Sequence, residues 1–334
     1  MTTEYNIKSI YKTLTSYGID ENFVRNILLP EWWDDEIASS KVGYLQAISI
    51  IAKNLGADAA DFIYATETIT LKRSLGIKYK TAKNISFGDK DIWPQSLALR
   101  VSELIEQTYT NDITGLPNES LEIRSQIIER YNSITLNNVL EFLWSSGIPV
   151  LHVSEFPKST KKMDGMAVNY KGRPIIILSK NRKHDAWLLF ILAHELGHIV
   201  KGHINKLDSV IYDSDIEIEE QDNEEKEANN FALELLIGDS QPNIIKKEIK
   251  LAFELVNIAR PIGNKLNIDP GIIILNYAYR QRKYALSEQA LKILSPHADA
   301  ISVVKSKMQE YLKLENLSEE NRDYFVKLTS LPEE

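Results

Sequence analysis

Apolar residues recur at helical spacing over most of the first 110 positions. Ile7, Ile10, Tyr11 and Leu14 repeat every three or four residues and stop at Ser16-Tyr17-Gly18, which predicts an opening helix. Residues 23–29 form a shorter one that ends at Pro30. Leu45, Ile48, Ile51, Ala52 and Leu55 make the strongest amphipathic stripe of this region, closed by Gly56. Short helices follow at 58–64 and 97–109. Residues 110–120, with Gly115 and Pro117, read as a linker.

Beyond the linker the texture changes. Two helices are expected at 121–131 and 136–146, the second stopped by Gly147. Residues 149–156, 165–170 and 173–179 then read as three strands, the last two joined at Lys171-Gly172 as a hairpin. Ile175-Ile176-Ile177-Leu178 suits a strand covered by a helix. That helix is residues 185–201, apolar almost all round and therefore buried. Residues 208–227 are strongly acidic and read first as an exposed loop, then as the opening turn of a helix over 225–237. Ala228, Phe231, Ala232, Leu235 and Leu236 share one face of that helix, and Gly238 stops it. Further helices are expected near 244–260, 270–284, 287–294 and 300–314, with a polar, loosely held tail from Asn316.

This order predicts an α+β fold. It is mostly helical, with a small three-stranded sheet packed on the helix at 185–201 and an additional N-terminal helical domain. The expected units are 1–115, 120–285 and a helical extension at 286–334, and 334 residues suit more than one domain. Adjacent Trp32 and Trp33 cannot both face one core on a helix, so one is expected to pack between elements or meet a partner, or to anchor a helix start.

Composition narrows the chemistry. There is no cysteine, which excludes disulfides, thiolate catalysis and cysteine-zinc sites. No uncharged apolar run is long enough for a membrane span, and the polar opening residues carry no secretory pattern, so a cytoplasmic protein is expected. The net charge of −8 disfavours non-specific nucleic-acid binding by the whole chain. Lys72, Arg73, Lys78, Lys80, Lys83 and Lys90 form the one stretch suited to phosphates or an acidic partner, with a plain solvated face as the favoured expectation.

The buried helix at 185–201 contains His194-Glu195-Leu196-Gly197-His198, an HExxH pattern. Positions i and i+4 share a helical face, so His194 and His198 can offer two imidazole nitrogens to one zinc ion. Glu195 is then placed to act as general base on a water at the open side. Imidazoles and a carboxylate in so apolar a helix are costly unless something binds them. A third ligand is needed. Glu227 is the preferred candidate because it shares a side with Phe231 and, nearly, Asn230; Glu224, one turn earlier, is the rival. The longer metzincin pattern is absent, since Lys201 and Ile204 stand where its Gly and third His belong. His203 is left with a supporting, capping or surface role. Tyr170, His184 and Tyr212 are candidate oxyanion donors. A substrate segment could pair beside residues 173–179. The acidic stretch could gate the cleft or favour a basic substrate, or be a solvated loop.

The sequence from His194 to His203, together with Glu227-Ala228-Asn229-Asn230-Phe231-Ala232-Leu233-Glu234-Leu235-Leu236, resembles the ImmA/IrrE family of zinc metallo-endopeptidases. Gly147-Ile148-Pro149-Val150, Gly165-Met166-Ala167 and Arg173-Pro174-Ile175-Ile176 are similar to that family's strand region. The resemblance covers about residues 120 to 285. It implies a gluzincin-like domain binding one Zn²⁺. It also implies cleavage of a bacterial or phage repressor, usually a DNA-binding helix-turn-helix protein encoded nearby, which induces stress, mobile-element or defence genes. The competing expectation is a non-cleaving regulator that uses the peptidase fold and the N-terminal helices to bind a partner or DNA.

Overall fold

A computed structural model describes residues 5–64, 69–70, 84–85, 93–160, 163–204, 209–212 and 223–332. The six basic residues between 72 and 90 and the acidic positions 213–222 lie outside the described residues.

The N-terminal part is helical, as its periodicity predicts. Helices α1 (Ile7–Ser16), α2 (Glu21–Phe23), α3 (Lys41–Leu55) and α4 (Ala59–Ile63) lead to a two-stranded pair, β1 (Ile69–Thr70) with β2 (Asn84–Ile85), and then to α5 (Trp93–Thr108). Helix α2 runs on as a π-helical turn over Val24–Leu28. Side chains of Asn6, Asp20, Ser40 and Asp58 cap helix starts by accepting from backbone N–H groups that would otherwise lack partners. Trp33 packs half-buried against the core and Trp32 is exposed; both stand in the turn ahead of the short 3-10 helix Asp35–Ser39, not on a helix.

Helices α6 (Ser120–Tyr131) and α7 (Leu136–Ser145) precede strands β3 (Val150–His152), β4 (Gly165–Tyr170) and β5 (Arg173–Leu178). Then come α8 (Asp185–Val200), β6 (Ser209–Tyr212) and α9 (Asn223–Ile237). The three expected strands form, and β6 joins them from a stretch expected to be a loop. The sheet order is β3-β5-β4-β6, with β3 parallel to β5 and the other pairs antiparallel. Lys171 and Gly172, at φ 49° and 90°, turn the β4–β5 hairpin, a geometry that matches strand twist. Strand β5 is hydrogen-bonded on both sides, so no substrate segment can pair beside it as the sequence suggested. The outer edge of β3 meets helix α13, below, with the His152 N–H on Met308 Sδ at 3.3 Å. Among the described residues, β6 is the remaining edge of this sheet.

Five α-helices follow: α10 (Ala252–Leu266), α11 (Pro270–Gln281), α12 (Tyr284–Leu294), α13 (Ala300–Tyr311) and α14 (Glu319–Thr329). Helix α10 begins later than expected and runs through Pro261. Its apolar positions Leu255, Val256, Ala259 and Gly263 continue past the proline and pack on α11 and α12, which outweighs the lost backbone hydrogen bond. The expected loose tail is instead α14, capped by Ser318 and burying Tyr324, Phe325 and Leu328. It joins the N-terminal helices to the segment after β3. Tyr324 Oη donates to the Asn54 carbonyl at 2.9 Å, and Ser154 and Glu155 N–H groups donate to the Leu328 carbonyl at 3.1 and 3.2 Å.

Candidate metal centre

Helix α8 packs on β4 and β5 and, along its C-terminal half, on α9. Two glycines set these approaches. A Cβ added to Gly197 would lie 3.0 Å from Ala228 Cα, so α8 and α9 meet nearly backbone to backbone. A Cβ added to Gly165 would lie 2.5 Å from Glu195 Oε1 and 2.8 Å from Ile191 Cγ2. The first residue of β4 therefore closes on the Glu195 carboxylate. Side chains alternate along a strand, so Gly165 and Ala167 line the α8 face with minimal bulk.

His194 and His198 are buried and face one another, with their Nε2 atoms 3.0 Å apart. Glu225, in the first turn of α9, brings Oε2 to 3.3 Å from His194 Nε2 and Oε1 to 3.5 Å from His198 Nε2. Among the described residues, these three are the set of potential ligand atoms that lie within 4.8 Å of one another. The structure thus places Glu225, not Glu227 or Glu224, beside the histidine pair. Helical angles give the reason. Glu225, Ala228, Asn229 and Ala232 follow i, i+3, i+4, i+7 spacing on the face that meets Gly197. Glu227 lies 200° round from Glu225, beyond the Phe231 edge of that face. The signal was available: the small side chains of Ala228 and Ala232 mark the face of closest approach, and Glu225 sits on it.

The ring nitrogens opposite the cluster are also engaged. Asn229 Oδ1 lies 3.0 Å from His194 Nδ1 and can only accept, so that nitrogen carries the proton. His194 then presents a lone pair at Nε2. His198 Nδ1 lies 2.9 Å from His203 Nδ1, whose Nε2 is 3.1 Å from Glu227 Oε2. Lone pairs of two imidazoles and a carboxylate converge on one point, an arrangement that a cation makes favourable and that repels itself without one. Two imidazole nitrogens and one carboxylate oxygen make a donor set suited to a metal ion, with one position left open.

These geometric findings stand beside a sequence comparison. Residues 148–260 match the Peptidase_M78 family model, described as the IrrE N-terminal-like domain. The M78-like segment holds the four-stranded sheet, both site helices and most of α10. It therefore contains every residue of the cluster, and it agrees with the ImmA/IrrE resemblance read from the motifs. A comparison with curated proteins finds no match.

Two of the three oxyanion candidates are far from this centre. Tyr170 ends β4 at the hairpin, about 17 Å along the strand from Gly165, and strand alternation turns it to the other face. His184 precedes the first turn of α8, about 15 Å along the axis from His194. It borders a separate cavity of about 400 Å³ with Asp185, Asp269 and Asp299. Burial lowers the His184 pKa and raises those of Asp185 and Asp269. Tyr212 lies opposite Met166 in the β4–β6 register, one residue from Gly165, so its backbone is the nearest of the three to the Glu195 end of β4.

Proposed function

We propose that this chain is a zinc-dependent endopeptidase whose substrate is a DNA-binding repressor. The observation that supports this best is the convergence of His194, His198 and Glu225 from two helices, with Glu195 held beside them under Gly165. His194 and His198 Nε2 and a Glu225 oxygen would hold the ion. Zinc bound there supplies a Lewis acid and lowers the pKa of water towards ~7. Glu195 takes the proton of the attacking water and passes it to the leaving amine, and the apolar helix around it keeps bulk water from competing. Asn229 fixes the His194 ring, so that ligand needs no reorientation when the ion arrives.

An extended substrate segment would pair along β6, an edge of the sheet among the described residues, whose neighbour β4 begins beside Glu195. A repressor is the substrate class that the family resemblance favours, and a basic DNA-binding protein suits a chain of net charge −8. The test is incubation of the purified protein with the repressor encoded beside it, with and without chelator, alongside Glu195→Gln. Cleavage by the parent, its loss with chelator, and at least a 10²-fold slower rate for Glu195→Gln with zinc retained are expected. Gene induction unchanged in Glu195→Gln cells would instead favour a regulator that binds without cutting.

A further inference from the structure

The geometry points to a proton-ordered chain from Glu227 through His203 to His198 that positions His198 as a ligand and strengthens its hold on the ion. This inference rests on the metal-site reading above. Helix α8 ends in a turn with two reverse backbone bonds. The His203 N–H donates to the His198 carbonyl at 2.9 Å, and the Gly202 N–H donates to the Ile199 carbonyl at 3.1 Å. Gly202 supplies the required left-handed residue at φ 76°. On a continued helix His203 would point about 140° away from His198. The reversal instead folds the His203 ring back over the end of the helix, with ring centroids 5.0 Å apart.

One proton arrangement satisfies both ring contacts of His203 once His198 ligates through Nε2. His198 Nδ1 must then carry the proton, and the group 2.9 Å away is His203 Nδ1, which must accept. His203 is left with its proton on Nε2, and Glu227 Oε2 at 3.1 Å accepts it. The carboxylate at the outer end makes His203 a better acceptor. That in turn raises the electron density of the His198 ring at its metal-facing nitrogen. His194 achieves the same orientation with one neutral partner, Asn229. The two ligands are thus supported unequally, one by an amide and one by a charged relay. Helix α9 provides Glu225, Glu227 and Asn229 within two turns, so a single element supplies the third ligand and the outer partner of each histidine arm.

The full chain tests this through zinc affinity, measured by competition with a chromogenic chelator, so no substrate is needed. His203→Ala should weaken Zn²⁺ binding about 10- to 100-fold. Glu227→Ala should weaken it several-fold, and the double variant should be no weaker than His203→Ala alone, because Glu227 acts only through His203. His203→Asn keeps an acceptor where Nδ1 stood but cannot reach Glu227. It should recover most of the affinity and become insensitive to Glu227→Ala. Binding by His203→Ala within twofold of the parent would overturn the relay while leaving the metal site intact. Multiplying losses in the double variant would overturn it as well. A parent chain that binds no zinc would overturn both readings. Thermal melts of the metal-free variants report folding separately. If His203→Ala does not fold, Glu227→Ala carries the test, since that side chain is 60% exposed; unchanged affinity would then refute the relay.

Discussion

At the scale of single residues, Gly165 carries as much of the geometry of the metal centre as the motif residues do. Its missing side chain is what allows Glu195 to stand where it does. Gly165→Ala should push the Glu195 carboxylate aside by a fraction of an ångström or more. Turnover of a peptide substrate should fall at least ~10-fold while zinc content and the melting temperature change little. The HExxH motif showed His194, Glu195 and His198 directly, because i, i+4 spacing is a local property. Gly165 was legible only as part of a strand, since nothing local says which helix that strand approaches. A second titratable residue deserves a test of its own. His152 is buried on β3 beside the Met308 sulfur, and burial pushes its pKa down to about 4. Between pH 6.5 and 4 the unfolded chain therefore binds a proton that the folded chain refuses, and stability falls as the pH drops through that window. The full effect is about 3 kcal/mol. Urea unfolding at pH 7 and pH 5 should show the loss, and His152→Gln should flatten the difference.

At the scale of elements, the site is a contact between α8 and α9. Sequence periodicity identified both helices but misjudged which acid α9 delivers. Glu227 shares a side with Phe231, a large side chain that fills space at the edge of the interface. The centre of the interface is marked by the smallest side chains, Gly197 and Ala228, and Glu225 lies one turn from Ala228. Hydrophobic size shows which face is buried; small size shows where two helices touch. Gly197→Ala should force the helices apart by a few tenths of an ångström. A destabilisation of about 1–3 kcal/mol and a weaker zinc affinity are expected, read by denaturant unfolding and chelator competition. Other elements escaped for related reasons. Strand β6 pairs with residues about 40 or more positions earlier, a partner that no local window contains. Helix α10 passes through Pro261 because its packing partners, α11 and α12, come later in the chain.

At the scale of the whole molecule, the C-terminal helix ties the parts together. Nothing in its polar sequence announces this, since its few apolar residues gain meaning only from what they meet. Tyr324, Phe325, Leu328 and Leu331 are all buried, Tyr324 bonds to α3 and Leu328 to the segment after β3, and α14 as a whole packs on the π-helical turn after α2. Burying four such side chains contributes on the order of 6–10 kcal/mol, comparable to the net stability of a typical domain. A chain ending at residue 317 should therefore lose its cooperative thermal transition, seen by circular dichroism, rather than lose one peripheral helix. No helix among the described residues is long and apolar enough to cross a membrane.

The near-touching backbones at Gly197 and Ala228 also bear on how far apart in sequence the two halves of the centre need to be. Their alignment is fixed by one helix resting on the other. A register set by direct contact does not depend on the length of the connection between two helices, because lengthening a connection costs little entropy. The two halves of the centre can therefore stand well apart in sequence while the chemistry stays as it is.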